Sequence, residues 1–197
     1  MSSTATTTER DLTPAGKRIL DTASRLFYEH GIRAVGVDMI AREANVTKKT
    51  IYDRFGSKDE LIRTYLQRGD QQWHSLISEQ VERPGSTPRE RILAMFEIMR
   101  DEVRTRGCSF INAYAEFSEV DHPAFEVARG QKVWTREYFT RLAREAGVSD
   151  PETLGSQLAL LHEGVYIAFA MAGDEDAAEH ARSAADVLLT AALEKGH

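Results

Sequence analysis

Two short runs of helical apolar spacing, at 37–44 and 48–55, stand only three or four residues apart, and no other feature limits the chain as much. Met39, Ile40 and Ala44 mark the first run; Ile51, Tyr52 and Phe55 mark the second. Asn45 lies between them. Asparagine enters the left-handed backbone region more cheaply than other non-glycine residues, and a tight helix-to-helix turn requires that conformation. Val46 precedes Thr47, whose hydroxyl suits the N-cap of the second helix, and Gly56 stops that helix. A longer helix comes before the pair. Thr13-Pro14 has the cap-then-proline form of a helix start, Gly31 ends it, and Ile19, Leu20, Ala23, Leu26 and Phe27 line one face. Leu26, Ile40, Ile51 and Phe55 are assigned to the core.

Ser57-Lys58-Asp59-Glu60 has the S-x-x-E form of a capping box, so a long helix is expected over about 57–82. The stretch RPGSTP at 83–88 breaks it. Five more helical patterns follow, at about 88–105, 109–120, 123–147, 151–172 and 176–195. Gly107, His122-Pro123, Gly147, Pro151 and Gly173 bound them, and none reads as a strand. The expected fold is all-α with about nine helices. Residues 1–12 read as a disordered polar tail, 13–56 as a three-helix domain, and 57–197 as a second helical domain joined through the long helix.

The net charge of −6 argues against a generic nucleic-acid binder, but it averages two unlike segments. Residues 1–68 carry 12 Lys and Arg against 9 Asp and Glu, while 69–197 carry 13 against 22. The N-terminal third is thus net positive and suited to phosphate; the remainder is net negative. Two short helices joined by a tight turn and braced by a third are the helix-turn-helix unit, here about 36–56. The second helix of such a unit enters the DNA major groove with its N-terminal residues toward the base edges. Here those residues are Thr47, Lys48, Lys49 and Thr50. Lysine reaches guanine acceptors or phosphate, and threonine offers a hydroxyl and a methyl. No apolar run spans a bilayer, Cys108 is the only cysteine, and the six histidines show no metal-ligand spacing. A reducing cytoplasm is the expected location, with no cofactor and no metal.

Residues 31–61, GIRAVGVDMIAREANVTKKTIYDRFGSKDEL, resemble the DNA-binding signature of the tetracycline-repressor family. The match is carried by Gly31, Ile40-Ala41, Ala44, Val46, Tyr52, Phe55, Lys58 and Leu61, over about the first third of the chain. Beyond that third, helix count, length and the Gly107-Cys108-Ser109-Phe110 stretch are similar to many members. The resemblance implies that Tyr52 hydrogen-bonds one phosphate and Lys58 another. Gly36 stands in the DNA-contacting set where members often carry a capping Ser or Thr, and Asn45 replaces the usual turn glycine. Asp53 is expected to point away from DNA and Arg54 to approach it.

The resemblance also implies a small-molecule effector site and a homodimer. Phe96, Met99, Val103, Cys108, Phe110, Tyr114, Phe117, Trp134, Tyr138, His162, Tyr166 and Phe169 are the candidates for the effector site. The last two helices, about 151–172 and 176–195, carry apolar faces rich in small residues and are the expected dimer bundle. The implied mechanism is repression of a double-stranded DNA operator, relieved when ligand favours a spacing of the two reading heads that no longer fits. Two other readings stand beside it: an architectural or effector-independent DNA binder, and a helical enzyme carrying a helix-turn-helix. The chain has no G-x-S-x-G, H-E-x-x-H or phosphate loop to support the last.

Overall fold

The computed structural model describes residues 12–102, 105–117 and 122–194. Among these residues all regular structure is helical, in the order α1 (Pro14–His30), α2 (Val37–Glu43), α3 (Lys48–Phe55), α4 (Lys58–Gln80), α5 (Pro88–Glu97), α6 (Met99–Glu102), α7 (Ser109–Glu116), α8 (Pro123–Glu145), α9 (Pro151–Ala172) and α10 (Ala177–Glu194). The helix expected over 88–105 is present as α5 and the single turn α6. They meet at Ile98, whose backbone stays right-handed helical, so the two count as one bent segment and the expected nine helices stand.

The ends follow local chemistry. Thr13 caps α1 through a bond from the Gly16 amide, with Pro14 in the first turn, and Asn45 takes φ 53° in the turn between α2 and α3. The expected capping box at Ser57 is only half made. Ser57 Oγ accepts from the Glu60 amide at 3.0 Å, but the Glu60 carboxylate accepts from Arg63 Nε at 3.0 and 3.1 Å. An arginine one turn on is a charged partner and outbids a neutral amide. The reciprocal box is at Thr87 and Glu90, where Thr87-x-x-Glu90 had the signature. Leu12, placed in the polar tail by sequence, is buried; the rest of that tail lies outside the described residues.

The chain packs as two units, Met1–Gln71 with Ser109–Arg129, and Gln72–Cys108 with Gly130–His197. This differs from the expected division after Gly56, because the first half of α4 and all of α7 pack with the N-terminal helices. In the first unit Ile19, Leu20, Leu26 and Phe27 of α1 are buried with Ile40, Ile51, Phe55, Leu61, Ile62 and Leu66. In the second, a continuous apolar core includes Ile77, Phe96, Met99, Phe139, Leu142, Leu158, Val165, Ala185 and Leu189. There α8 and α9 approach closely at Gly155. A Cβ at that position would lie 2.2 Å from Thr140 Oγ1 and 2.7 Å from Thr140 Cα, so only glycine fits.

Candidate nucleic-acid interface

The reading head is built on α2 and α3. Gly36 opens α2 without a side-chain cap, and the amides of Met39 and Ile40 donate to its carbonyl at 3.1 and 3.2 Å. A Cβ on Gly36 would meet nothing within 4 Å. Thr47 caps α3: its Oγ1 accepts from the Thr50 amide at 3.1 Å and lies 2.9 Å from Thr50 Oγ1. The two threonine hydroxyls therefore engage each other, leaving the Thr47 methyl and the α3 backbone at the exposed end. Ile51 and Phe55 are buried and anchor the helix, so residues 47–49 and 52–54 stand outward.

Each lysine of α3 has a carboxylate partner. Lys48 Nζ lies 2.7 Å from Asp38 Oδ1 on α2, and Lys49 Nζ lies 2.8 Å from Asp53 Oδ2 one turn on. The Asp38 hydrogen bond and charge raise the Lys48 pKa, so the ammonium persists well into the alkaline range. Asp53 thus serves as a counter-charge to Lys49. Tyr52 is 47% exposed despite its place among the apolar positions of α3, which puts its ring at the surface. Arg54 is also exposed.

Lys58 is half-buried at the start of α4, and its ammonium donates to the Ile32 carbonyl at 2.8 Å. Burial lowers its pKa, opposed by the charges of Asp59 and Glu116. An ammonium has three donors, so two remain beyond this bond. Glu116, on α7, was not singled out in the sequence. Its Oε1 accepts from the Ile32 amide at 3.0 Å and its Oε2 from the Arg33 amide at 2.7 Å. Some 84 positions separate it from Ile32, so no local pattern announces the contact.

The effector candidates divide between the units. Phe110, Tyr114 and Phe117 belong to the first unit, with α7. Tyr114 is 53% exposed with its ring against Phe125, and Phe117 stacks on His122. Val103 lies outside the described residues. In the second unit Phe96 and Met99 are fully buried core residues, Phe96 stacking on Phe139. Tyr138 is structural: its hydroxyl donates to Glu82 at 2.8 Å, in a network where Glu82 also accepts from Arg141 and Arg91. Trp134 stacks on Tyr138 and lies against His74.

His162 is the centre of what remains. It is fully buried, with the rings of Trp73, Phe96, Phe139 and Tyr166 edge-on at 5.7 to 6.3 Å. Neither ring nitrogen has a hydrogen-bond partner, and the Glu163 carboxylate is 3.6 Å away, beyond hydrogen-bond reach. Burial lowers the His162 pKa and keeps the ring neutral. Glu163 pairs with Lys132 at 2.7 Å, and Lys132 Nζ donates to the buried Cys108 Sγ at 3.3 Å. Tyr166 and Phe169 are half-buried on α9. Among the described residues no cluster of side chains could hold a metal ion, and no helix is long and apolar enough to cross a membrane.

Residues 19–65 match the family model described as "Bacterial regulatory proteins, tetR family". The chain is 31% identical to the HTH-type transcriptional activator FasR of Mycolicibacterium smegmatis over 137 residues, 66% of this chain and 60% of FasR. It is 37% identical to the HTH-type transcriptional repressor SCO4008 of Streptomyces coelicolor over 59 residues, 30% of this chain and 31% of that protein. The matched stretches thus span less than two thirds of the curated relatives' length. Among solved structures, SCO4454, a TetR-family transcriptional regulator from Streptomyces coelicolor, superposes with a TM-score of 0.85 at 30% identity, over 90% of this chain and 95% of that one. A second, the regulator sav143 of Streptomyces avermitilis, gives a TM-score of 0.79 at 29% identity, covering 92% and 98%.

Proposed function

This chain belongs to the TetR family of DNA-binding transcriptional regulators, and from that premise we propose that it is a cytoplasmic homodimeric repressor released from its operator by a small molecule. One observation carries the DNA-binding part. The capped, exposed N-terminal end of α3 presents residues 47–49 outward while Ile51 and Phe55 fix it to the core, which is the presentation major-groove reading needs. Thr47, Lys48 and Lys49, with Thr50 beside them, address base edges; Tyr52, Arg54, the remaining donors of Lys58 and the backbone at Gly36 address phosphate.

The dimer is supported by an apolar face that the chain leaves open. On α9, Leu160, Ile167 and Met171 are 73%, 49% and 81% exposed, and their spacing of seven and four residues puts them on one side. Val187 of α10 is 67% exposed. Leu154, Leu158 and Val165 of α9 are instead buried in the chain's own core. A second copy meeting this open face about a two-fold axis would present two α3 helices to half-sites roughly 34 Å or a multiple apart.

In this reading the effector binds at the His162 cluster of the second unit, where both ring nitrogens are buried without a partner. Unpartnered buried nitrogens cost stability that a ligand group would recover. A near-complete switch requires roughly 10⁴-fold preference of ligand for the released state, about 5.5 kcal/mol. The activator FasR favours a second reading, in which the bound dimer recruits transcription instead of blocking it. Selection of genomic fragments by the purified protein, followed by a promoter reporter with and without the gene, tests both. Enrichment of a two-fold symmetric site is expected, with reporter output rising on deletion for a repressor and falling for an activator. Failure to enrich any site contradicts the proposal.

A further inference from the structure

We infer that Glu116 is a positioning residue for operator binding, holding the connection between α1 and α2 in the form that seats the reading head. The inference rests on the DNA-binding reading above. The Glu116 carboxylate spans two successive backbone amides, accepting from Ile32 at 3.0 Å and from Arg33 at 2.7 Å. The carbonyl of the same Ile32 accepts from Lys58 at 2.8 Å. Residue 32 is thus gripped at its amide by an anion from α7 and at its carbonyl by a cation from α4. Charge-assisted bonds of this kind are about twice as strong as neutral ones.

The local backbone is shaped for the grip. Gly31 has φ 87°, and a Cβ there would lie 3.0 Å from Glu116 Oε1, so the glycine both makes the turn and admits the carboxylate. Ile32 and Val35 are buried at 3% and 0% exposure, so fixing these amides fixes where both side chains enter the core. Gly36 follows at once as the N-cap of α2, and α3 hangs from α2 by the turn at Asn45. Displacing the connection therefore displaces the reading head, without Glu116 itself having to meet DNA. Ser109, where α7 begins, follows directly on Cys108 of the second unit. A state that draws α7 back withdraws both bonds together, which gives the effector response a specific point of action.

The test compares Glu116→Gln and Glu116→Ala with wild type on the selected operator, across a salt series, with amide hydrogen exchange read by NMR on the same samples. Alanine is expected to lower affinity roughly tenfold, and glutamine, which keeps one accepting oxygen, by less. The slope of affinity against salt stays at the wild-type value, since no phosphate contact is lost. The Ile32 and Arg33 amides lose protection while those of α4 and α10 keep it. Variants that bind as wild type despite freely exchanging Ile32 and Arg33 amides overturn the inference. So does affinity lost only in step with protection throughout the chain, which marks general destabilisation. If the wild type itself selects no site, the DNA-binding reading has failed and the inference falls with it, a result distinct from the other two.

Discussion

Asp38 of α2 holds Lys48 of α3 at 2.7 Å, across the turn that joins the two helices of the reading head. With Asp53 at 2.8 Å from Lys49, both lysines at the N-terminal end of α3 carry a counter-charge. Each carboxylate offsets part of its lysine's charge and so lowers the head's unspecific attraction for phosphate. Asp38→Asn is therefore expected to raise affinity for random-sequence DNA several-fold and to steepen its salt dependence by up to about 0.9 in log–log slope, for one freed charge. Fluorescence anisotropy on random and operator duplexes checks it; an unchanged ratio of the two affinities counts against the argument.

At Gly36 the chain lacks a capping hydroxyl, yet there is room for one, since a Cβ meets nothing within 4 Å and the backbone is extended. Gly36→Ser is expected to stabilise the protein by a few tenths of a kcal/mol through the cap. It should also tighten operator binding, by adding a donor to phosphate at the start of α2. Denaturant titration and mobility shift read the two effects separately, and weaker binding by the serine variant contradicts the placement of Gly36 at the interface.

Gly155 meets Thr140 where α8 and α9 cross, with a Cβ position 2.7 Å from the Thr140 backbone. Backbone cannot yield as a side-chain tip does, so Gly155→Ala should destabilise by about 3 kcal/mol. Gly130→Ala on α8, where nothing lies within 4 Å, should instead be neutral or stabilising by up to about 1 kcal/mol. Equal melting temperatures for the two variants refute the close crossing.

Burial lowers the pKa of His162, Glu163 offsets this only in part, and the charge of Lys132 acts in the same direction as burial. Below its ordinary value of 6.5 the unfolded chain takes up a proton that the folded chain refuses. Stability is therefore full above that pH and falls as pH drops toward the lowered value, by at most about 1.4 kcal/mol per pH unit. Urea titrations between pH 7.5 and 5.0 should show wild type losing more than His162→Leu. Parallel losses rule out the histidine as the cause.

What could be read from the sequence was local. The cap at Thr13, the left-handed Asn45, the stop at Gly56 and the burial of Ile40, Ile51 and Phe55 each follow from residues within one or two helical turns of each other. Glu116 could not be read, because a carboxylate that ends a helix looks like any solvated charge until a backbone some 84 positions away is folded against it. Nor could the assignment of Phe110, Tyr114 and Phe117, since aromatic residues at helical spacing carry no mark of which unit they join. On α9 apolar residues occur nearly all round, so periodicity could not tell the buried Leu154, Leu158 and Val165 from the exposed Leu160, Ile167 and Met171.

Whether the N-terminal end of α3 reads DNA is answered by mobility shift of wild type and Lys49→Ala on fragments from the protein's own promoter region, across a salt series. Tight, sequence-preferring wild-type binding is expected, falling linearly in log affinity against log salt. Lys49→Ala should bind more weakly, with a slope shallower by about 1 if Lys49 meets phosphate, or with relaxed sequence preference if it meets a base. Wild-type binding that shows no sequence preference, or a Lys49→Ala variant matching wild type in affinity, slope and preference, would contradict DNA reading by this end of α3.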